Sequence, residues 1–326
     1  MAEIKNILVT GATGLIGSAL VKRLMADGEY NVFATGRNTK RAKMLFACYE
    51  DNSRFRFFRY DVREQLSGNT IFHYIVHAAS NADPLHFAND PVGVIKSNID
   101  GVTNLLDYGR NHGMERFLYV SSGEVYGSNA RNKHSEHSEQ IVWTEEDSGY
   151  VDSMNARSCY PSAKRTAETL CVSYAIQYGV DVVVARLCHT YGACFTESDN
   201  RVYAQFLRNV MRGEDIVLKS SGEQYRSWIY VDDCVDALMK ILHNGESCKA
   251  YNVANEESNV TIRRFAEIVA EMSGRKVVFE TQTPTVGGST IKQAIFDTSS
   301  LRALGWKPRY PLRQGIAECL RASCAH

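Results

Sequence analysis

The stretch KNILVTGATGLIGSALVKRLMADG, residues 5–28, constrains the fold of this chain more than any other. A short apolar run predicts a buried strand; Gly11, Gly14 and Gly17 follow, and the spacing beyond them predicts an amphipathic helix that stops at Gly28. A strand buried on both faces needs helices above and below it, and the chain supplies them in turn. NVFATG (31–36) is read as a second strand, with a helical run to about Cys48, and FRFFRYDV (55–62) as a third strand ending at Asp61. HYIVHAAS (73–80), RFLYVSS (116–122) and VDVVVARL (180–187) are read as the fourth, fifth and sixth, with helical stretches between them. This alternation predicts an α/β fold built on a doubly wound parallel sheet.

Beyond residue 188 the alternation loosens. AQFLRNVMRGEDIVL (204–218) and TIRRFAEIVAEMSG (261–274) read as helical, separated by SWIYVDDCVDALMKIL (227–242) and a strand-like AYNVAN (250–255). The expected division is a sheet domain of residues 1–187 plus 229–255 and a smaller, discontinuous α/β domain of 188–228 plus 256–326. Lys and Arg (37) balance Asp and Glu (37), so charge favours neither nucleic acid nor an anionic membrane as a partner. Nine cysteines form no CxxC pair and no metal-ligand spacing, so no metal site is expected. The first residues resemble neither a secretory segment nor a membrane span, and reduced thiols in the cytoplasm are the expectation.

The glycines allow backbone N–H groups and a helix N-terminus to approach a pyrophosphate, which points to a dinucleotide held by Gly11, Thr13, Gly14, Leu15, Ile16 and Gly17. An acid after the second strand would hold the adenosine ribose. Here the sequence is ATGRN, and Arg37 suits a 2′-phosphate, which leans the reading from NAD toward NADP; an arginine stacked on adenine is the alternative. Asp61 could accept from the adenine amino group or simply cap a helix. Further along, RSCYPSAKR (157–165) places Tyr160 and Lys164 four apart, on one helical face, with Pro161 in the first turn where no amide bond is lost.

Together, GxxGxxG, HAAS (77–80), SSGEVYG (121–127), YPSAK (160–164) and DTSSLRALGWKP (297–308) resemble the extended short-chain dehydrogenase/reductases, the NAD-dependent epimerase/dehydratase family. Within it, HAASNADPLHFANDP, SSGEVYG and RSCYPSAKRTAETLC look most like the UDP-glucuronate decarboxylases, the arginine, serine and cysteine before the tyrosine above all. The resemblance implies a Rossmann sheet, a nucleotide-sugar substrate and a homodimer formed through helices near 98–111 and 160–178. It also implies cofactor contacts from Val62, Ala78, Ala79 and Ser80. In two places the chain departs from the family: His189 stands where an asparagine is usual, and the acid after the second strand is missing.

The resemblance assigns Tyr160 as the base that removes a proton from the sugar O4 as hydride leaves C4. A phenol titrates at roughly 10, and Lys164 with an oxidised nicotinamide is expected to lower that value. Ser122 would bond the same hydroxyl, and Lys164 would bond the nicotinamide ribose. Glu124 would take part in substrate handling and proton transfer; Gly123 before it speaks against a 4,6-dehydratase, which shows an acidic pair there. His189, Arg201 and Arg226 would contact the nucleotide diphosphate sugar, guanidinium forks being suited to phosphate. Decarboxylation of UDP-glucuronate, 4-epimerisation and NADPH-dependent reduction of a 4-keto sugar all share this chemistry. A non-catalytic NADP-binding sensor would be expected to lack an intact Tyr-x-x-x-Lys. Asp232 and Asp233 are read as structural anchors.

Overall fold

A computed structural model describes residues 4–128, 142–280 and 293–323. A seven-stranded parallel sheet forms its centre. β1 (Asn6–Thr10) is flanked on one side by β2 (Asn31–Gly36) and then β3 (Phe55–Arg59). On the other side lie β4 (Tyr74–His77), β5 (Arg116–Ser122), Val182–Leu187 and, at the edge, Ala250–Val253. The order therefore reverses between β1 and β4, and a crevice opens there above the carboxyl ends of the strands.

Helices cover both faces, as strands this apolar require. α1 (Leu15–Asp27), α2 (Thr39–Phe46) and the helix Val231–Asn244 bury Leu20, Val21, Leu24, Phe46, Leu238 and Ile241 against one face. α1 ends at Gly28, whose φ of 67° places it in the left-handed region while its N–H bonds back to Leu24. After α3 (Pro84–Asn89), α4 (Pro91–Asn111) and α5 (Cys159–Tyr178) cover the other face with Val102, Leu105, Leu106, Ala167 and Cys171. α3 and α4 each begin with proline in the first turn, capped by the side chains of Asp83 and Asp90.

A second core gathers around Trp228 and Phe265, whose rings are 4.3 Å apart. It lies among the helices Val202–Met211, Ile262–Ser273 and Leu312–Ser323 and a smaller sheet in which Tyr225–Tyr230 pairs with Asn255–Thr261, Gln293–Phe296 and His189–Tyr191. Asp233 ties the two lobes: fully buried, it accepts from the backbone N–H groups of Arg309 (2.9 Å) and Tyr310 (3.0 Å).

Several segments differ from the sequence reading: the fourth strand stops at His77, short of Ser80, and the strand from Ala250 stops at Val253. β3 stops at Arg59 because the chain turns at once, the N–H of Glu64 bonding to the carbonyl of Asp61. Residues 204–218 do not form one helix: it ends at Met211, Gly213 takes a φ of 75°, and Ile216–Leu218 becomes a strand beside Val277–Phe279. Among the described residues no helix is long and apolar enough to cross a membrane, and no group of three metal-ligating side chains occurs.

Candidate active site

The glycine loop sits at the crevice between β1 and β4, packed too tightly for side chains. Gly11 has a φ of +68°, and a Cβ there would lie 2.7 Å from the Ala79 backbone. A Cβ on Gly17 would lie 2.3 Å from the Gly11 carbonyl oxygen. Gly14 caps α1 without offering a side chain, so the first-turn N–H groups have no cap from it. Such a cradle fits a pyrophosphate. At the end of β2 a Cβ on Gly36 would come within 3.1 Å of the Thr13 hydroxyl, whose backbone carbonyl accepts from Arg41 (2.9 Å).

The far end of the crevice carries Arg37, exposed, and Asp61. Arg63 forks onto the Asp61 carboxylate at 3.0 and 2.6 Å, and that pairing holds the carboxyl down at about 2. Asp61 thus remains an ionised acceptor, already shared with a neighbour. Val62 beside it is buried, its carbonyl taken by Asn104.

At the other end, α5 brings Tyr160 and Lys164 to the ends of β4 and β5. The Tyr160 hydroxyl faces the Ser122 and Ser80 hydroxyls, both of which favour its ionised form. Ser80 in turn donates to the fully buried Asn98 (3.0 Å), which also accepts from Tyr119 (3.4 Å). Asn98, on α4, is a member of this corner that the sequence reading missed; "KSNIDG" carries no local pattern that marks it. Ala78 and Ala79 continue from β4, with the Ala79 N–H bonded to Thr10 (3.3 Å).

The expected effect of Lys164 on the phenol is not what the side chains do. Its ammonium donates to the Val120 carbonyl at 2.8 Å and lies over the Tyr119 ring at 4.6 Å, farther from the Tyr160 ring at 5.7 Å. Burial first, and the Glu124 charge second, push the Tyr160 phenol up to about 12; Ser122, Arg201 and Ser80 pull the other way without winning. Burial also drives the Lys164 ammonium down to about 7. A lowered phenol therefore needs a positive charge beyond the lysine.

Glu124 lies on a 3-10 turn, Gly123–Tyr126, that the Ser122 side chain caps through the Glu124 N–H (3.2 Å). Its carboxylate is forked by Arg157 at 3.1 and 3.2 Å, a partner the sequence reading did not assign. The preceding Gly123 leaves no space for a second acid: a Cβ would meet the Phe296 ring at 2.0 Å. Across the cleft, His189 pairs in register with Trp228, whose ring is 5.3 Å away. Water reaches this imidazole, yet the surrounding cleft walls, then the Arg226 and Arg201 charges, hold it below its usual titration range and so neutral. Arg201 chelates Asp199 at 2.9 and 2.6 Å. Arg226 is 2% exposed, and burial lowers its pKa to about 10, opposed by the charge of Glu124.

Ser122, Glu124, Tyr160, His189, Arg201 and Arg226 thus converge on one cleft, with Lys164 behind its wall, while Arg37, Asp61 and Val62 belong to the opposite end of the crevice. The cleft can hold an anionic, hydroxyl-bearing molecule against a buried phenol.

Known proteins resemble this chain over nearly its whole length. UDP-glucuronic acid decarboxylase 4 of Arabidopsis thaliana is 32% identical over 314 residues, which span 96% of this chain and 67% of that protein. UDP-glucuronic acid decarboxylase 6 of the same plant is 33% identical over 95% of this chain and 86% of that protein. Among solved structures, a UDP-glucuronic acid 4-epimerase from Bacillus cereus in complex with UDP-glucuronic acid and NAD superposes with a TM-score of 0.80 at 22% identity, covering 98% of this chain and 99% of that one. A dTDP-glucose 4,6-dehydratase from Streptomyces venezuelae gives 0.82 at 24% identity, covering 98% and 97%, so the fold is shared across several chemistries. The NAD dependent epimerase/dehydratase profile matches residues 7–254, and with these relatives it establishes that the chain belongs to that family.

Proposed function

We propose that this protein is a nucleotide-sugar enzyme working through transient oxidation at the sugar C4, and that its reaction is decarboxylation of UDP-glucuronic acid. The observation that carries the reading is the buried Tyr160 hydroxyl, set against Ser122 and Ser80 in the cleft that Glu124 and Arg201 also face. The curated relatives, named as decarboxylases of this substrate, support the choice of reaction. Gly123, pressed against Phe296, speaks against a second acid and a 4,6-elimination.

In this reading Gly11, Thr13, Gly14, Leu15, Ile16 and Gly17 hold the pyrophosphate of NAD or NADP, Asp61 and Val62 the adenine, and Ala78, Ala79, Ser80 and Lys164 the nicotinamide nucleoside. A nicotinamide held there would supply reversible hydride transfer at C4. Tyr160, oriented by Ser122, accepts the O4 proton. The carboxyl at C6 is then β to a ketone, so the C5–C6 bond breaks with its electron pair moving toward the ketone oxygen, and carbon dioxide leaves. Reprotonation at C5 falls to the Glu124 side of the cleft, and His189, Arg201 and Arg226 grip the diphosphate and uronate charges. Tyr160→Phe is expected to abolish turnover and keep nucleotide binding; a variant with normal turnover would remove the proposed base.

Arg37 supports a second reading, NADPH-dependent reduction of a 4-keto sugar: it is exposed at the end of β2, where no acid could repel a 2′-phosphate. NADP binding tighter than NAD, with the preference lost in Arg37→Ala, is the corresponding outcome. Residues 1–187 plus 229–255 would form the cofactor domain and the remainder the sugar-nucleotide domain. A homodimer through α4 and α5 is supported by exposed Val92, Ile95 and Ile176 on those helices. The free thiols of Cys159, Cys171 and Cys234, all buried, suit the cytoplasm.

A further inference from the structure

We propose that Arg157 is a positioning residue: it locks the Glu124 carboxylate in one place and, through Phe87, braces the ring of Tyr160. The proposal rests on the reading of Tyr160 as the catalytic base.

Arg157 sits in the 3-10 turn Ala156–Ser158, just before α5, with its N–H held by the Asn155 side chain at 3.0 Å. Both terminal nitrogens meet Glu124, one per carboxylate oxygen, at 3.2 and 3.1 Å. This two-point geometry fixes the plane of the carboxylate as well as its distance, which an ammonium cannot do. The guanidinium carbon lies 4.7 Å from the Phe87 ring, and Phe87, 2% exposed, stacks on Tyr160 at 4.8 Å with 21° between planes. Arg157, Phe87 and Tyr160 thus form a continuous stack, built from α3 and the start of α5. Its Nε is buried and has no hydrogen-bond partner among the described residues, so the terminal fork is where the guanidinium finds its acceptors.

The consequence is electrostatic. The groups facing Tyr160 are the Ser80 and Ser122 hydroxyls, Glu124 from the 3-10 turn, Arg201 from the opposite lobe, Tyr119 from β5, and Cys159 and Lys164 from its own helix. Glu124 is the largest charge among them raising the phenol pKa. An anion so close must be countered if the phenol is to ionise; Arg157 forks directly onto it, and the Arg226 charge adds to the same effect.

Four variants test this: Arg157→Gln, Glu124→Gln, the double variant, and Arg157→Lys as a fork-less control. Tyrosines carrying a carbon-13 label at Cζ are followed by NMR, the Tyr160 signal being the one lost in Tyr160→Phe. With NAD bound, whose nicotinamide charge would bring the phenol down into a measurable range, removing a countercharge at this range is expected to raise the Tyr160 titration by about one pH unit in Arg157→Gln. Glu124→Gln is expected to lower it, and in that background Arg157→Gln should change it little. Turnover of UDP-glucuronic acid should fall about tenfold or more in Arg157→Gln with KM changed less than about twofold, and Arg157→Lys should not restore it. An unmoved or lowered Tyr160 titration in Arg157→Gln, or the same effect with and without Glu124, would overturn the proposal. The titration needs no substrate, so a shifted phenol in a protein whose turnover ignores Tyr160→Phe would refute the base assignment and leave the positioning role standing.

Discussion

Replacing Gly17 by alanine separates the packing of the glycine loop from its ligand chemistry. The added Cβ would lie 2.3 Å from the Gly11 carbonyl oxygen and 2.8 Å from the Ala12 Cα. Both are backbone atoms, so the loop must move by roughly 1 Å to restore ordinary contact, an overpacking that costs about 1–3 kcal/mol. Helix propensity acts the other way, since alanine in a helix gains about 0.5–1 kcal/mol over glycine. The net expectation is a loss of about 1–2 kcal/mol of stability. A displaced loop also misaims the first-turn N–H groups, so nucleotide affinity should fall about tenfold, the equivalent of some 1.4 kcal/mol. Gly14→Ala is the contrast: its Cβ meets only the Gly11 carbonyl oxygen, at 3.3 Å, and its φ of −84° suits any residue. That variant should keep its stability to within about 1 kcal/mol while still weakening the nucleotide where the backbone must come close. Urea unfolding and calorimetric titration with NAD and NADP measure both quantities. Gly17→Ala with the parent's stability would refute the reasoning, because the close contact would then cost nothing.

Two further outcomes concern buried charge. Lys164 is driven down to about 7 from an ordinary 10.5, so between those pH values the unfolded chain holds a proton that the folded one lacks. Stability should therefore rise with pH across that window, by about 1 kcal/mol per unit, relative to Lys164→Met, and the full penalty should remain below about 7; parallel slopes in urea unfolding at pH 7 and 9 would contradict this. Glu168, 13% exposed, pairs with Arg186 at 2.8 Å and accepts from Ser121 at 2.6 Å. Glu168→Ala removes the arginine's countercharge, leaving it only the neutral acceptors Tyr126 and the Glu145 carbonyl among the described residues, and should cost about 3 kcal/mol in the same assay, with nucleotide affinity retained.

The parts of the fold that a local pattern specifies were legible from residues alone. The glycine loop, the run of parallel strands and the Tyr160–Lys164 spacing each follow from short-range rules of burial, turn geometry and helical period. The strand Ile216–Leu218 was hidden because the apolar residues before it continue a helical pattern, and only Gly213 and pairing with Val277–Phe279 break it. Asn98, Phe87 and Arg157 were not assigned for a related reason: what matters is whom they meet, and Arg157 meets a carboxylate 33 positions earlier. Spacing puts Lys164 on the face of Tyr160 but does not show its ammonium turned to the Val120 carbonyl.

The central claim is the reaction. Purified protein incubated with UDP-glucuronic acid and NAD, and separately with NADP, followed by mass analysis of the nucleotide sugar, tests it most directly. The expected product is lighter by one carbon dioxide, with no net consumption of the nucleotide and none formed by Tyr160→Phe. A uronate recovered with unchanged mass, whether untouched or epimerised at C4, would contradict it.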